Sequence, residues 1–251
     1  MRLALLQFDT IWLRREENYA TIERLLEGVE CDLVVLPEMF ATGYSIEASL
    51  VAEPTEGPTL KWMQKLSAER RCAIIGTVAV TERGNYYNRM YVALPDGDVF
   101  HYDKRHLFTF AGEERSFTAG KERVIVEWQG VRILPLVCYD LRFPAWSYLP
   151  GEVDLIVYSA SWAASRTGAW DTLLPARAVE NQAWVVGVNR IGSEPGLEYS
   201  GDSAVIDHLG RVVVDAMERE CVEVAELDTS EIERFRARFN VSRDADRFEM
   251  L

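Results

Sequence analysis

The chain has 251 residues, 48% apolar and 27% charged, which is ordinary globular usage and excludes disorder, collagen-like repeats and low-complexity scaffolds. Its 40 acidic residues outnumber the 27 basic ones, for a net charge of −13, and no Lys/Arg run is long enough to offset this, so no nucleic-acid partner is expected. Apolar runs fall far short of the roughly 20 residues of a membrane span, so no membrane partner is expected either. The N-terminus reaches Gln7 and Asp9 before any signal-type apolar region develops, which predicts a cytoplasmic protein. Cys31, Cys72, Cys138 and Cys221 share no CxxC spacing, so neither a zinc knuckle nor a disulfide framework is indicated. Most are expected to be reduced core thiols, with no metal and no cofactor.

The length predicts one domain over residues 1–251. Leu3 to Phe8 reads as a buried strand, Tyr19, Ile22, Leu25, Leu26 and Val29 recur at helical spacing, and Asp32 to Leu36 is a second strand ended by Pro37. Leu60, Met63 and Leu66 mark another helix, and Cys72 to Val80 a third strand. Tyr86 to Leu94 and Val99 to Tyr102 flank Pro95-Asp96-Gly97-Asp98, a strong hairpin signal. Lys104 to Gly120 is polar, Gly-punctuated and without period, so it reads as a long functional loop. Strands follow at Val124 to Trp128, Val131 to Val137 and Val153 to Tyr158, with a short helix from about Phe143. A helix covers Trp170 to Asn181, and further strands cover Trp184 to Val188, Ala204 to Asp207, Val212 to Asp215 and Cys221 to Glu226. A charged helix from Ser230 to about Phe239 closes the chain. The pattern predicts an α/β fold of two packed sheets with helices on their outer faces.

Three reactive residues sit just past apolar strands, where α/β sheets place their sites. Glu38, in LPEMF, has Pro37, Met39 and Phe40 as neighbours; poor solvation would raise its pKa toward that of a general base, or it is a buried ion-pair partner. Lys104, in YDKRHLF, reads alone as a solvated side chain. Cys138, in LVCYDLRFP, lies on a sharp strand-to-helix turn, where a helix N-terminus would favour thiolate; a core cysteine is the plain alternative. Together they form a nucleophile, a base and a cation that stabilises thiolate and oxyanion. A Cys–His hydrolase is a competing reading and requires His106 within reach of Cys138.

PEMF, DKRHLF and VCYDLRFP, in that order and at those separations, resemble the carbon–nitrogen hydrolase (nitrilase) superfamily over nearly the whole chain. The likeness continues through Trp170, Ala176-Arg177-Ala178, Glu180-Asn181-Gln182, Asn189-Arg190, Tyr199 and Gly201-Asp202-Ser203, and it is nearest to the omega-amidase branch. The resemblance implies a single-domain, four-layer α-β-β-α sandwich of the nitrilase type that assembles as a homodimer or higher homo-oligomer. It implies Glu38 as base, Lys104 as electrostatic stabiliser and Cys138 as nucleophile, with a second glutamate placed by Gly120 at Glu113, next to Glu114. The implied reaction is hydrolysis of a small-molecule amide, 2-oxoglutaramate or 2-oxosuccinamate, through a cysteine thioester. A nitrilase, an N-carbamoyl amidohydrolase and a non-catalytic carboxylate-binding protein are the alternatives. The chain departs from the branch after Ser161-Trp162, where Ala163-Ala164-Ser165-Arg166 replaces a Pro-rich stretch and bears on substrate choice.

Arg142 and Arg166 are candidates for a substrate carboxylate, Arg142 alternatively pairing with Asp140 or a buried glutamate. Tyr139 could supply an oxyanion-hole N–H while its ring packs, and Trp162 could wall the pocket. Trp170 reads as core, Arg177 and Glu180 as a structural ion pair, and His208 as exposed.

Overall fold

Alternating apolar strands and one-sided helices resolve into two stacked sheets in the computed structural model, which describes residues 1–194, 196–246 and 248. The first half runs β1 (Arg2–Gln7), α1 (Arg15–Leu25), β2 (Leu33–Val35), α2 (Ala48–Val51), β3 (Glu53–Pro54), α3 (Pro58–Arg70), β4 (Ala73–Glu82), β5 (Asn85–Ala93) and β6 (Val99–Asp103). The second runs β7 (Val126–Trp128), β8 (Val131–Val137), α4 (Pro144–Ser147), β9 (Leu155–Ala160), α5 (Thr167–Asn181) and β10 (Trp184–Asn189). It ends with β11 (Ile191–Glu194), β12 (Leu197–Ser200), β13 (Ala204–Ile206), β14 (Val212–Asp215), β15 (Cys221–Glu226) and α6 (Thr229–Arg238).

One sheet has the order β15-β1-β2-β4-β5-β6, with β3 beside β4, and the other the order β14-β13-β10-β9-β8-β7. Each has three parallel strands at its centre and antiparallel strands at its edges. Period-two alternation sorts β1: Leu3 and Leu5 join Ile133 and Val186 between the sheets, while Ala4 and Leu6 join Ile22 of α1 and Met63 of α3 outside. Each fully buried Leu, Ile or Val side chain of these rows contributes roughly 1.5–3 kcal/mol. On the other flank Gly187 of β10 lets α5 approach closely, since a Cβ there would meet Trp170 and Leu174. The result is the α-β-β-α sandwich, and Trp170 is core.

Two differences from the sequence reading have local causes. Ile191–Glu194 and Leu197–Ser200 pair as a separate two-stranded sheet, β11–β12, too short and too polar for its alternation to show. His208 is buried rather than exposed, because Phe235 of α6 packs against its ring at 5.0 Å between centroids. The expected ion pair Arg177–Glu180 is present at 3.1 Å. No described helix is long and apolar enough to cross a membrane.

Candidate active site

The carboxyl ends of β2, β6, β8 and β9 meet at one edge of the sandwich, and each delivers one polar group. Glu38 follows β2, fully buried; its carboxylate accepts the Ser161 N–H beyond β9 at 2.9 Å. The bend is held by Met39, at φ +47, whose N–H donates to Thr77 Oγ1 at 2.7 Å. Lys104 leaves β6 with its N–H donating to the Asn88 carbonyl at 3.0 Å, and its carbonyl accepts the Gly120 N–H at 2.9 Å. The long loop between them is thereby pinched at its base.

Lys104 Nζ lies 3.0 Å from Glu38 Oε1 and 2.9 Å from Glu113 Oε2. Glu113 is fully buried in a 3-10 turn and accepts the Phe108 N–H at 2.6 Å, while adjacent Glu114 is exposed. Burial alone would pull the Lys104 pKa down, but Glu113 and Glu38 reverse this and hold it well above its ordinary value. Asn88, inside β5, donates its amide to Glu38 Oε1 at 2.8 Å and to Glu113 Oε1 at 3.2 Å. Sequence reading missed Asn88, because a polar residue in an alternating strand reads as a solvent-facing position. Ser161 was also missed as a contributor, although it heads the divergent Ser-Trp segment.

Cys138 opens the 3-10 turn Cys138–Arg142 directly after β8, with φ +44. A non-glycine residue in that region costs on the order of 1–3 kcal/mol, a strain that clusters at functional sites. Asp140 holds the turn by accepting the Val137 N–H at 3.0 Å. The expectation that a helix N-terminus favours thiolate is overturned. Burial and then the Glu38 carboxylate push the Cys138 thiol well above its ordinary pKa, against the smaller opposing pull of Lys104 and the Ser161 N–H. Lys104 is shared between the two glutamates, so its pull on the thiol is the smaller effect. Glu38 is in place to take the thiol proton as a bond forms.

His106 does not turn toward Cys138. Its Nδ1 sits 2.8 Å from Asp140 Oδ1, and its ring stacks on Phe143 at 3.8 Å. That engagement also removes Asp140 as a partner for Arg142, whose guanidinium instead lies over Trp162 at 5.0 Å. Arg166 lies over Phe108 and Phe110 at 5.2 and 5.3 Å. Among the described residues neither guanidinium has an acidic partner. Both line a cavity of about 450 Å³ that also reaches Cys138, Tyr139, Trp162 and Lys104. The Tyr139 ring packs edge-on against Phe108 and Phe143. Trp162 is buried, its N–H held by Asn189 Oδ1 at 2.7 Å.

A strained thiol with a carboxylate and an ammonium on a buried cavity floor defines a class: hydrolases that pass the acyl group through cysteine. Residues 2–237 match the carbon–nitrogen hydrolase family, and the chain belongs to it, as a hydrolase of carbon–nitrogen bonds other than peptide bonds. It is 42% identical to an omega-amidase, YafV, of Yersinia enterocolitica, over 100% of this chain and 99% of that one. It is 35% identical to a 2-oxoglutaramate amidase of Bacillus subtilis, over 91% of each. A CN-hydrolase superfamily protein of Xanthomonas campestris, crystallised with an arsenic adduct in its active site, superposes with a TM-score of 0.95 at 42% identity, covering 100% of this chain and 99% of that one.

Proposed function

We propose that the protein deamidates a small 2-oxo acid ω-amide, 2-oxoglutaramate or 2-oxosuccinamate, giving the dicarboxylate and ammonia. The observation that carries this is the pair of cations, Arg142 and Arg166, without an acidic partner among the described residues, in the wall of a cavity that also reaches Cys138. One end of the ligand is anionic and the other is the amide. The relatives named for omega-amides and 2-oxoglutaramate support the same reading.

Cys138 Sγ attacks the amide carbon while Glu38 takes the thiol proton. Lys104 and the Tyr139 main-chain N–H face the oxygen that gains charge. Glu38 then returns the proton to the departing nitrogen, the carbon–nitrogen bond breaks, and ammonia leaves a thioester. Glu38 next deprotonates a water that attacks the thioester; the carbon–sulfur bond breaks and the thiol is regenerated. Glu113 keeps Lys104 charged, and Asn88 holds Glu38 and Glu113 in place. Within this reading residues 1–251 act as one domain, in the cytoplasm, as a homodimer or higher homo-oligomer.

Ammonia release from a panel of ω-amides, nitriles and N-carbamoyl compounds tests the proposal. A preference for 2-oxo acid ω-amides of at least about tenfold in kcat/KM is expected. A preference for a nitrile or a carbamoyl compound overturns it.

A further inference from the structure

From floor to mouth the cavity changes character in three levels. Glu38 and Lys104 at the floor are at most 1% exposed. Arg142 and Arg166, half-buried, form the middle. Around the mouth stand Trp12, Ile46, Leu50, Phe110 and Leu197, from 39% to 81% exposed. These five come from four separate stretches: the loop after β1, the segment through α2, the loop 104–120 and the start of β12. Single exposed apolar side chains are ordinary, but a set converging on one concave opening marks a binding surface.

A 2-oxo acid ω-amide with its amide at Cys138 and its carboxylate on a guanidinium ends at the middle level. It has no apolar group for the rim. Phe110 belongs to both levels, since its ring also carries the Arg166 guanidinium at 5.3 Å. A ligand that reaches the carboxylate site therefore reaches the rim with one more substituent.

We infer that the rim is a second subsite for an apolar substituent, and that the enzyme also deamidates ω-amides bearing one: glutamine-type compounds N-acylated with an aryl or alkyl chain. The side-chain amide meets Cys138, the α-carboxylate meets an arginine, and the acyl chain covers the rim. The bonds that change are those of the proposed function, on which this inference rests. The side-chain carbon–nitrogen bond breaks, a Cys138 thioester forms, ammonia leaves with the proton carried by Glu38, and water cleaves the carbon–sulfur bond. The N-acyl bond is untouched.

The test follows ammonia release by the full-length enzyme from N-acetyl-, N-butanoyl-, N-octanoyl- and N-benzoylglutamine, alongside 2-oxoglutaramate. The expected result is a rise in kcat/KM of at least about tenfold from the acetyl to the octanoyl or benzoyl compound. The double variant Leu50→Ser/Leu197→Ser is expected to flatten that series. Turnover of 2-oxoglutaramate with no hydrolysis of the acyl series, or with a flat series, overturns the rim subsite and leaves the proposed function standing. Failure to turn over any amide overturns both. A series slope untouched by the double variant, with a change in oligomeric mass by light scattering, makes the rim a contact between copies and overturns the subsite.

Discussion

Asp140 Oδ1 accepts both the main-chain N–H of His106, at 2.9 Å, and hydrogen-bonds its ring Nδ1, at 2.8 Å. The other oxygen of the same carboxylate accepts the Tyr102 hydroxyl at 2.8 Å and the Val137 N–H at 3.0 Å. One buried carboxylate thus ties the loop that carries Lys104 and Glu113 to the turn that carries Cys138. Asp140→Asn turns an amide toward N–H donors and leaves some of them unpaired, which costs about 1–3 kcal/mol each. We expect a lowered melting temperature and a lowered kcat with KM little changed. His106→Ala removes one of these contacts and should be milder than Lys104→Ala in kcat. The opposite ranking would replace the Glu-Lys-Cys mechanism with a Cys–His one.

Cys138→Ala is expected to leave less than about a hundredth of wild-type turnover, since catalytic groups acting as a unit cost orders of magnitude when one is lost. It also has a signature in stability. The thiol pKa is raised in the folded state, first by burial and then by Glu38. Its contribution is therefore fully present below the unfolded value near 8.5 and is lost as pH rises toward the folded value. Removing the thiol removes that loss, so melting temperatures of variant and wild type should shift in favour of the variant above about pH 8.5. A difference that stays constant from pH 7 to 10 contradicts the raised thiol pKa.

Strand ends were the legible part of this site. Glu38 and Cys138 each follow a run of apolar residues, and Lys104 follows a hairpin strand, so position marked them as candidates, while their roles came from taking the three together and from the resemblance to the carbon–nitrogen hydrolases. Asn88 was not legible, because its importance comes from two carboxylates 50 and 25 residues away. The thiol's pKa was misread for a related reason. The turn after β8 is local and visible, whereas the burial and the Glu38 carboxylate that raise the thiol pKa come from elements distant in the chain. His208 failed similarly, since its cover is supplied by a helix that follows it in the chain.

Lys104→Ala leaves Glu38 and Glu113 buried without their cation, a loss of about 3–5 kcal/mol in stability. It also removes an oxyanion contact, about 3 kcal/mol in barrier or a hundredfold or more in rate. Lys104→Met combined with Glu113→Gln restores the charge balance of the buried cluster. The double variant should recover much of the stability seen in denaturant melts and none of the activity. Recovery of both would show that Lys104 serves only the fold.

Gly120 tests the pinch at the base of the loop. A Cβ there would overlap the Asp103 carbonyl, directly before Lys104. Gly120→Ala should push the Lys104 backbone away, costing about 1–3 kcal/mol in stability together with a fall in kcat. Lys121→Ala, at an exposed position, is the control and should change neither. Normal kcat in Gly120→Ala would mean that the loop tolerates the displacement.

The remaining prediction concerns which cation reads the carboxylate. A chain of net charge −13 cannot draw in a dicarboxylate-derived amide by its overall field, so local cations must hold it. Arg142 rides on the turn of Cys138, and Arg166 is braced by two rings, so the two guanidiniums are fixed independently. A hydrogen-bonded contact to a charged group is worth about 1.5–3 kcal/mol, roughly ten- to a hundredfold. Replacing the arginine that binds the carboxylate with Gln should therefore raise KM for 2-oxoglutaramate by that factor. A neutral aliphatic amide has no group for it to hold and should be almost unaffected. The measurement is the ratio of kcat/KM for the two amides in Arg142→Gln and in Arg166→Gln. If both variants fold and neither changes the ratio, the carboxylate is bound elsewhere, and the arginine pair no longer supports a 2-oxo acid ω-amide as substrate.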